Sequence, residues 1–159
     1  MAKVEILQAH WRDARALKQL EKRCFRPTDN YSLITYFWLL LWPRVVTLKA
    51  VVDGEIVGFI ASDPRRRAAH VIIVTVGVHP EWRRRGIGEQ LMHACEARSD
   101  LPRFHLMVRV SNTSAIQLYQ KLGYEITGRV PRYYADEDGF SMGKTIASRQ
   151  HSNSVEAAH

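Results

Sequence analysis

Apolar positions along this chain repeat with two different periods, and the places where the period changes mark its elements. Val4-Glu5-Ile6-Leu7 reads as a short strand, and Asp13 to Arg23 carries Ala14, Leu17, Leu20 and Cys24 at helical spacing. Phe25-Arg26-Pro27-Thr28-Asp29-Asn30 breaks the pattern as a loop, and a helix apolar on nearly every side is predicted from about Ser32 to Leu41, stopping before Pro43. Val45–Val52 and Glu55–Ala61 flank Asp53-Gly54, a strong hairpin signal. His70–Val78 is β-branched and suited to a central strand. A helix to about Arg98 follows, with Ile87, Leu91, Ala94 and Cys95 on its core face, then a strand over Phe104–Val110. Asn112–Leu122 is a helix ended by Gly123, and Tyr124–Val130 and Phe140–Ile146 complete the strands.

The order implies one mixed α/β domain over residues 1–146, with a polar, aperiodic tail over 147–159 expected to fray. A chain of 159 residues, 46% hydrophobic and 25% charged, is long enough to bury its own core. The longest apolar run, Tyr36–Pro43, spans about eight residues where a membrane helix needs roughly twenty. No membrane span or leader peptide is therefore expected. Cys24 and Cys95 fit neither a metal spacing nor a disulfide framework, so no metal is expected and a reducing, cytoplasmic setting is the default expectation.

A formal charge of +7 calls for an anionic partner, and the position of the charge indicates which kind. Arg65-Arg66-Arg67 lies between two strands and reads as a solvated turn. Arg83-Arg84-Arg85-Gly86-Ile87-Gly88 instead follows a strand and opens a helix, where backbone N–H groups lack partners and glycines permit close approach. That is an anion site, although the same spacing equally suits a plain glycine-eased turn. The turn lacks the Gly-Lys-Ser/Thr ending of a P-loop and the third glycine of a dinucleotide fold, which leaves a pyrophosphate held without metal.

The stretch Val78-His79-Pro80-Glu81-Trp82-Arg83-Arg84-Arg85-Gly86-Ile87-Gly88 is followed by Val108-Arg109-Val110-Ser111-Asn112, Ala115-Ile116 and Leu118-Tyr119-Gln120-Lys121-Leu122-Gly123-Tyr124. Together these resemble the GNAT acetyltransferase superfamily, and within it the RimI-like and related protein N-terminal acetyltransferases. The resemblance spans about Val4 to Lys144. It implies the GNAT fold: a mixed, mostly antiparallel twisted sheet of six to seven strands with about four helices, splayed at the central strands. It further implies acetyl-CoA as co-substrate and a primary amine as acceptor. Val76, Gly77 and Val78 would pair with the pantetheine arm, with Val78 N–H holding the oxyanion. Arg83, Arg84, Arg85, Gly86, Ile87, Gly88 and Glu89 would hold the pyrophosphate. Asn112 would contact the cofactor, and Tyr119 would stand at the thioester sulfur as general acid.

The residues themselves leave alternatives at several of these positions. Gly77 inside a β-branched strand suggests a bulge, or relief of crowding against a neighbouring helix. Tyr119 lies on the apolar stripe of its helix and reads equally as a core tyrosine. Its phenol suits a thiolate leaving group, with a pKa of roughly 10 against roughly 8.5. Asn112 fits a helix N-cap.

RimI-like enzymes carry a glutamate base two residues ahead of the arginine, where this chain has Met107. His105, two residues earlier and on the same strand face, is the tentative base, at roughly 6 to 7 Å along the strand and through a water. His79 and Glu81 are further options. Weak base assistance favours an α-amine, of which roughly a third is unprotonated near pH 7.5 against about a thousandth of lysines. By resemblance, Glu21-Lys22-Arg23-Cys24-Phe25 with its following loop, and Tyr133-Tyr134 with Asp138, form the two loops that grip the acceptor; Phe25, Tyr133 and Tyr134 would touch it. The expectation is therefore acetylation of a protein N-terminus by a monomer or homodimer. Acetylation of a small amine and a silent acyl-CoA sensor are the alternatives. Nucleic-acid binding lacks a reading motif.

Overall fold

In the computed structural model the described residues are 2–29, 32, 35 and 39–147. Most of the helix expected over 32–41 and nearly all of the tail lie outside them; within that helix, residues 39–41 are helical. Seven strands form one sheet: β1 (Glu5–Gln8), β2 (Val46–Val52), β3 (Glu55–Arg65), β4 (His70–Val78), β5 (Arg103–Arg109), β6 (Glu125–Tyr134) and β7 (Glu137–Thr145). Their order across the sheet is β1-β2-β3-β4-β5-β7-β6. Every pairing is antiparallel except β4 with β5, which the intervening helix crossover makes parallel. The β2–β3 hairpin turns on Asp53 and Gly54, both at positive φ, as a two-residue primed turn requires.

Among the described residues three bounded helices cover the faces: α1 (Ala14–Cys24), α2 (Ile87–Ala97) and α3 (Thr113–Lys121). α2 and α3 close the larger core, seating Ile87, Leu91, Met92, Cys95, Ile116, Tyr119 and Leu122 against Leu48, Ile60, Val71, Phe104, Leu106 and Val108. On α2 Met92 is fully buried and Ala94 half-buried, so the expected core face is rotated slightly. α1 closes the smaller core on the opposite face, with Leu17 and Leu20 on Phe59. It also buries Glu21 completely, bonded by Lys18 at 2.9 Å. Among the described residues no helix is long and apolar enough to cross a membrane.

The pairing of β4 explains how the sheet opens. Its ladder with β5 runs only from His70↔Arg103 to Ile73↔Leu106. At that point the β3 register slips, Ala61 pairing with Thr75 and Ser62 with Ile73, so Val74 is an extra residue. A bulge bends its strand and increases the local twist. The upper half of β4 thus leaves β5, and the expected splay begins there. The bulge falls at Val74, and not at Gly77, which pairs regularly with Phe59. Gly77 is small for the other reason: a Cβ there would stand 2.9 Å from Phe59 Cε1, 3.2 Å from Phe25 and 3.3 Å from Cys24.

The last hairpin is longer than the sequence pattern predicts. β6 continues through Pro131 to Tyr134 because it is the sheet's edge, where a missing N–H costs no ladder bond. Residues 131–133 bulge outward between Val130↔Gly139 and Tyr134↔Glu137, with Arg132 at φ +54°. Asp138 holds this bulge, accepting from Arg132 N–H at 2.9 Å and from Arg129 Nε at 2.8 Å. Tyr133 and Tyr134 therefore sit on a strand end instead of in a loop. The Arg65-Arg66-Arg67 turn is braced by ion pairs of Arg65 with Asp63 and Arg66 with Asp100, and by Arg103 bonding the Ala68 carbonyl at 2.7 Å.

Candidate active site

A cleft of about 680 Å³ occupies the splay. One half is formed by Ile73, Val76, Leu106 and Val108 with Asn112, Ala115 and Tyr119; the other holds Phe25, Asp29, Met107, Arg109, Tyr133 and Tyr134. The bond from His79 N–H to the Val57 carbonyl, 2.8 Å, fixes the phase of the β3–β4 ladder. Gly77 and Thr75 spend their backbone groups on β3, and Val76 and Val78 turn theirs toward the splay. Val76 lines the cleft beside Tyr119, whereas Val78 lies one repeat further along, where its carbonyl accepts from Arg83 Nε at 3.2 Å.

At the outer end of the cleft the chain turns through Arg84 (φ +59°) and Gly86 (φ +76°) into α2. The first α-helical bond is Gln90 N–H to the Gly86 carbonyl, 3.0 Å, and no side chain caps the helix. The N–H groups of Ile87, Gly88 and Glu89 are thus left for an anion, with the helix dipole behind them. The two glycines serve different ends. Gly86 supplies the left-handed conformation, and Gly88 lets α3 approach, since a Cβ there would stand 3.1 Å from Leu118 Cδ2.

The three arginines also differ. Arg83, though exposed, donates from Nη2 to the Cys24 carbonyl at 3.2 Å and stitches the end of β4 to α1. Arg85 stacks on Trp82, its Cζ 4.7 Å from the ring centroid. Arg84 is exposed. Glu89 pairs with Lys121 at 2.8 Å, which offsets a negative charge that would otherwise oppose an anion at the helix start.

Asn112 is the N-cap of α3, its Oδ1 accepting from Ala115 N–H at 3.3 Å, and the residue lines the cleft. About two turns further along α3, Tyr119 is buried, and burial with Tyr134 nearby pushes its phenol above the ordinary tyrosine value. No hydrogen bond within the described residues accounts for its hydroxyl. The phenol therefore keeps its proton at any working pH, as a donor must.

The opposite half of the cleft is organised by a residue that the sequence left unassigned. Arg109, buried on β5, donates from Nε to Asp29 at 2.9 Å, and from Nη1 to Asp136 at 2.7 Å and Glu137 at 2.8 Å. Its Nη2 bonds the second oxygen of Asp29, and the Tyr134 ring lies 4.4 Å from its Cζ. Asp29 belongs to the segment after α1, Asp136 to the β6–β7 turn and Glu137 to the start of β7, so a single guanidinium staples the two segments that wall the cleft. Glu137 also accepts from Ser111 Oγ at 2.8 Å, tying the start of α3 to the same point. A strand position facing away from the main core, yet occupied by arginine, was the signal in the sequence for such a role.

Met107 stands between Arg109 and His105 on the same strand face, its Cε packed over Gly139, where a Cβ would come within 3.0 Å. His105 lines the far end of the cleft with His70, their rings 5.1 Å apart and nearly perpendicular. Burial, His70 and Arg103 hold His105 below the ordinary histidine value, so its imidazole is neutral at pH 7. His79 lies outside the cleft, bonded to Arg23 at 2.9 Å, and Glu81 is exposed beyond it. Burial pushes the Cys24 thiol up to about 11, which leaves it unreactive. Among the described residues no group of three metal-ligating side chains comes together.

A bulge-opened splay ending at an uncapped, glycine-led helix start suits an extended ligand with an anionic end, and the comparisons with known proteins identify the family. The model of the acetyltransferase (GNAT) family matches residues 11–124, and the chain belongs to that family. It is 33% identical over 136 residues to the N-terminal acetyltransferase B complex catalytic subunit NAA20 of Arabidopsis thaliana, covering 80% of this chain and 78% of that one. It is 30% identical over 151 residues to the L-amino acid N-acetyltransferase AaaT of Escherichia coli, covering 84% and 90%. The crystal structure of the ribosomal-protein-S18-alanine N-acetyltransferase from Escherichia coli shares the fold, with a TM-score of 0.82 at 23% identity over 94% of this chain and 98% of that one. The chain is thus an N-acetyltransferase of the GNAT family, whose acetyl donor is acetyl-CoA.

Proposed function

We propose that this enzyme transfers the acetyl group to the N-terminal α-amine of a polypeptide. The observation that carries this reading is the lining of the acceptor end. Its carboxylates, Asp29, Asp136 and Glu137, are all engaged by the Arg109 guanidinium that joins the two walls. What faces the acceptor is instead apolar and aromatic, namely Phe25, Met107, Tyr133 and Tyr134, with phenol groups able to bond a peptide backbone. The similarity to NAA20 supports the same class of acceptor.

In the proposed reaction acetyl-CoA lies along the upper half of β4. Its pyrophosphate meets the N–H groups of Ile87, Gly88 and Glu89 with Arg84 and Arg85 beside them, and its pantetheine pairs with Val76 and Val78. The unprotonated amine attacks the thioester carbonyl carbon, the C–N bond forms, and the oxyanion takes a backbone N–H from β4. Val76, which lines the cleft, is better placed for this than Val78. As the C–S bond breaks, Tyr119 gives its proton to the sulfur. The raised phenol is matched by the thiolate, which burial in the same apolar cleft also makes more basic. The ammonium proton leaves through water to His105, neutral at working pH, and its return through water restores the Tyr119 phenol.

CoA release from acetyl-CoA tests this reading with four acceptors: an unblocked peptide, an N-terminally blocked lysine peptide, a free amino acid and spermidine. Turnover concentrated on the unblocked peptide supports it. Turnover confined to spermidine or to the free amino acid contradicts it.

A further inference from the structure

A buried polar cluster lies behind Tyr119, on the side away from the cleft. Tyr124, 2% exposed, packs its ring at 6.1 Å from that of Tyr119, and its N–H donates to the Tyr119 carbonyl at 2.9 Å. The Tyr124 hydroxyl donates to Glu96 Oε1 at 2.9 Å. Lys144 Nζ reaches both Glu96 oxygens, at 3.1 and 3.0 Å, and stands 5.5 Å from the Tyr124 ring centroid. Glu96 is on α2, Tyr124 follows α3 and Lys144 is on β7. Burial and the Glu96 carboxylate hold the Tyr124 phenol well above its ordinary value, so it stays a donor.

An apolar core would be satisfied by phenylalanine at 124. The hydroxyl adds a fixed bond that sets the plane of the ring, and the Tyr119 ring packs beside it at a tilt of 58°. Side chains in a close-packed interior move together, so fixing one ring fixes its neighbour. We infer that Glu96, Tyr124 and Lys144 form a positioning network that holds the Tyr119 phenol at the angle from which it protonates the departing sulfur. The inference rests on the reading of Tyr119 as general acid. It assigns the three residues no contact with either substrate: they act through Tyr119 alone.

The test is a double-mutant cycle on steady-state kcat with acetyl-CoA and an unblocked peptide, using Tyr124→Phe, Glu96→Gln and Tyr119→Phe singly and in pairs, with thermal unfolding of each. Misplacing a reacting group by about 1 Å costs up to roughly a hundredfold. Tyr124→Phe and Glu96→Gln are therefore expected to lower kcat by roughly tenfold, with KM for acetyl-CoA unchanged. In the Tyr119→Phe background the same changes are expected to have no further effect, because the group they position is gone. A merely structural role would lower stability and act equally in both backgrounds. Full additivity with Tyr119→Phe, or unchanged kcat in Tyr124→Phe, overturns the inference while leaving Tyr119 as the acid. Wild-type turnover in Tyr119→Phe overturns the acid assignment instead.

Discussion

Arg109 Nε donates to Asp29 Oδ2 at 2.9 Å across eighty residues of sequence, and this bond joins the strand at the floor of the cleft to the loop that walls it. The same guanidinium holds Asp136 and Glu137 of the opposite wall. Lysine presents one ammonium where arginine presents a fork, so it cannot serve both walls. Arg109→Lys is expected to raise the peptide KM by roughly tenfold while leaving KM for acetyl-CoA within about twofold, measured by initial rates with each substrate varied in turn. Acid has a related effect. The Arg109 bonds hold the carboxyls of Asp136 and Glu137 below the ordinary carboxylate range. Their contribution is complete above that range and is lost as pH falls below about 4 through the depressed values. Arg109→Met removes the depression, so its acid unfolding midpoint should lie at higher pH than that of the wild type.

His105 is expected to control the acid side of the pH profile. Because burial, His70 and Arg103 lower its pKa, a second acid limb of kcat/KM, beneath the one set by the acceptor α-amine at about 8, should fall below the ordinary histidine value of about 6.5. His105→Gln should flatten that limb and lower the rate at neutral pH by roughly tenfold or more. A limb left in place in the variant would assign the base elsewhere.

Two glycines should fail in different ways. Gly77→Ala forces a methyl to within 2.9 Å of Phe59 and should cost about 1–3 kcal/mol of stability, measured by denaturant unfolding. Gly86→Ala meets no neighbour but must hold φ +76°, a strain of about 1–2 kcal/mol. Relaxing that turn moves the unpartnered N–H groups, so its main effect should be a raised KM for acetyl-CoA.

The arginines of the turn should separate likewise. Arg83 bonds the carbonyls of Val78 and Cys24, so Arg83→Ala should lower the thermal midpoint. Arg84 is exposed and forms no ion pair among the described residues. Arg84→Ala should leave the midpoint unchanged and raise KM for acetyl-CoA a few-fold, an effect that shrinks with added salt.

The strands, the helices within the described residues and the glycine-led turn into α2 were legible because each has a local signature: Asp53-Gly54, the β-branched run ending at Val78, and glycine at 86 and 88. The Val74 bulge was not, since nothing in Ile73-Val74-Thr75 departs from strand composition and the slip is set by pairing with Ala61 and Ser62. Gly77 drew attention correctly, but its cause is contact with Phe25 and Phe59, which only the packed structure brings together. The Arg109 staple depends on carboxylates at 29, 136 and 137, whose convergence no local pattern encodes. The same is true of Tyr124, where the hydroxyl gains meaning only once Glu96 is beside it.

The most direct measurement of the central claim is the position of the acetyl group on a peptide that offers both a free N-terminus and an internal lysine, read by tandem mass spectrometry after incubation with acetyl-CoA. Acetylation at the α-amine, abolished in Tyr119→Phe, is the predicted result. Acetylation at the lysine ε-amine, or an unmodified peptide under conditions where a small amine is acetylated, would contradict the account.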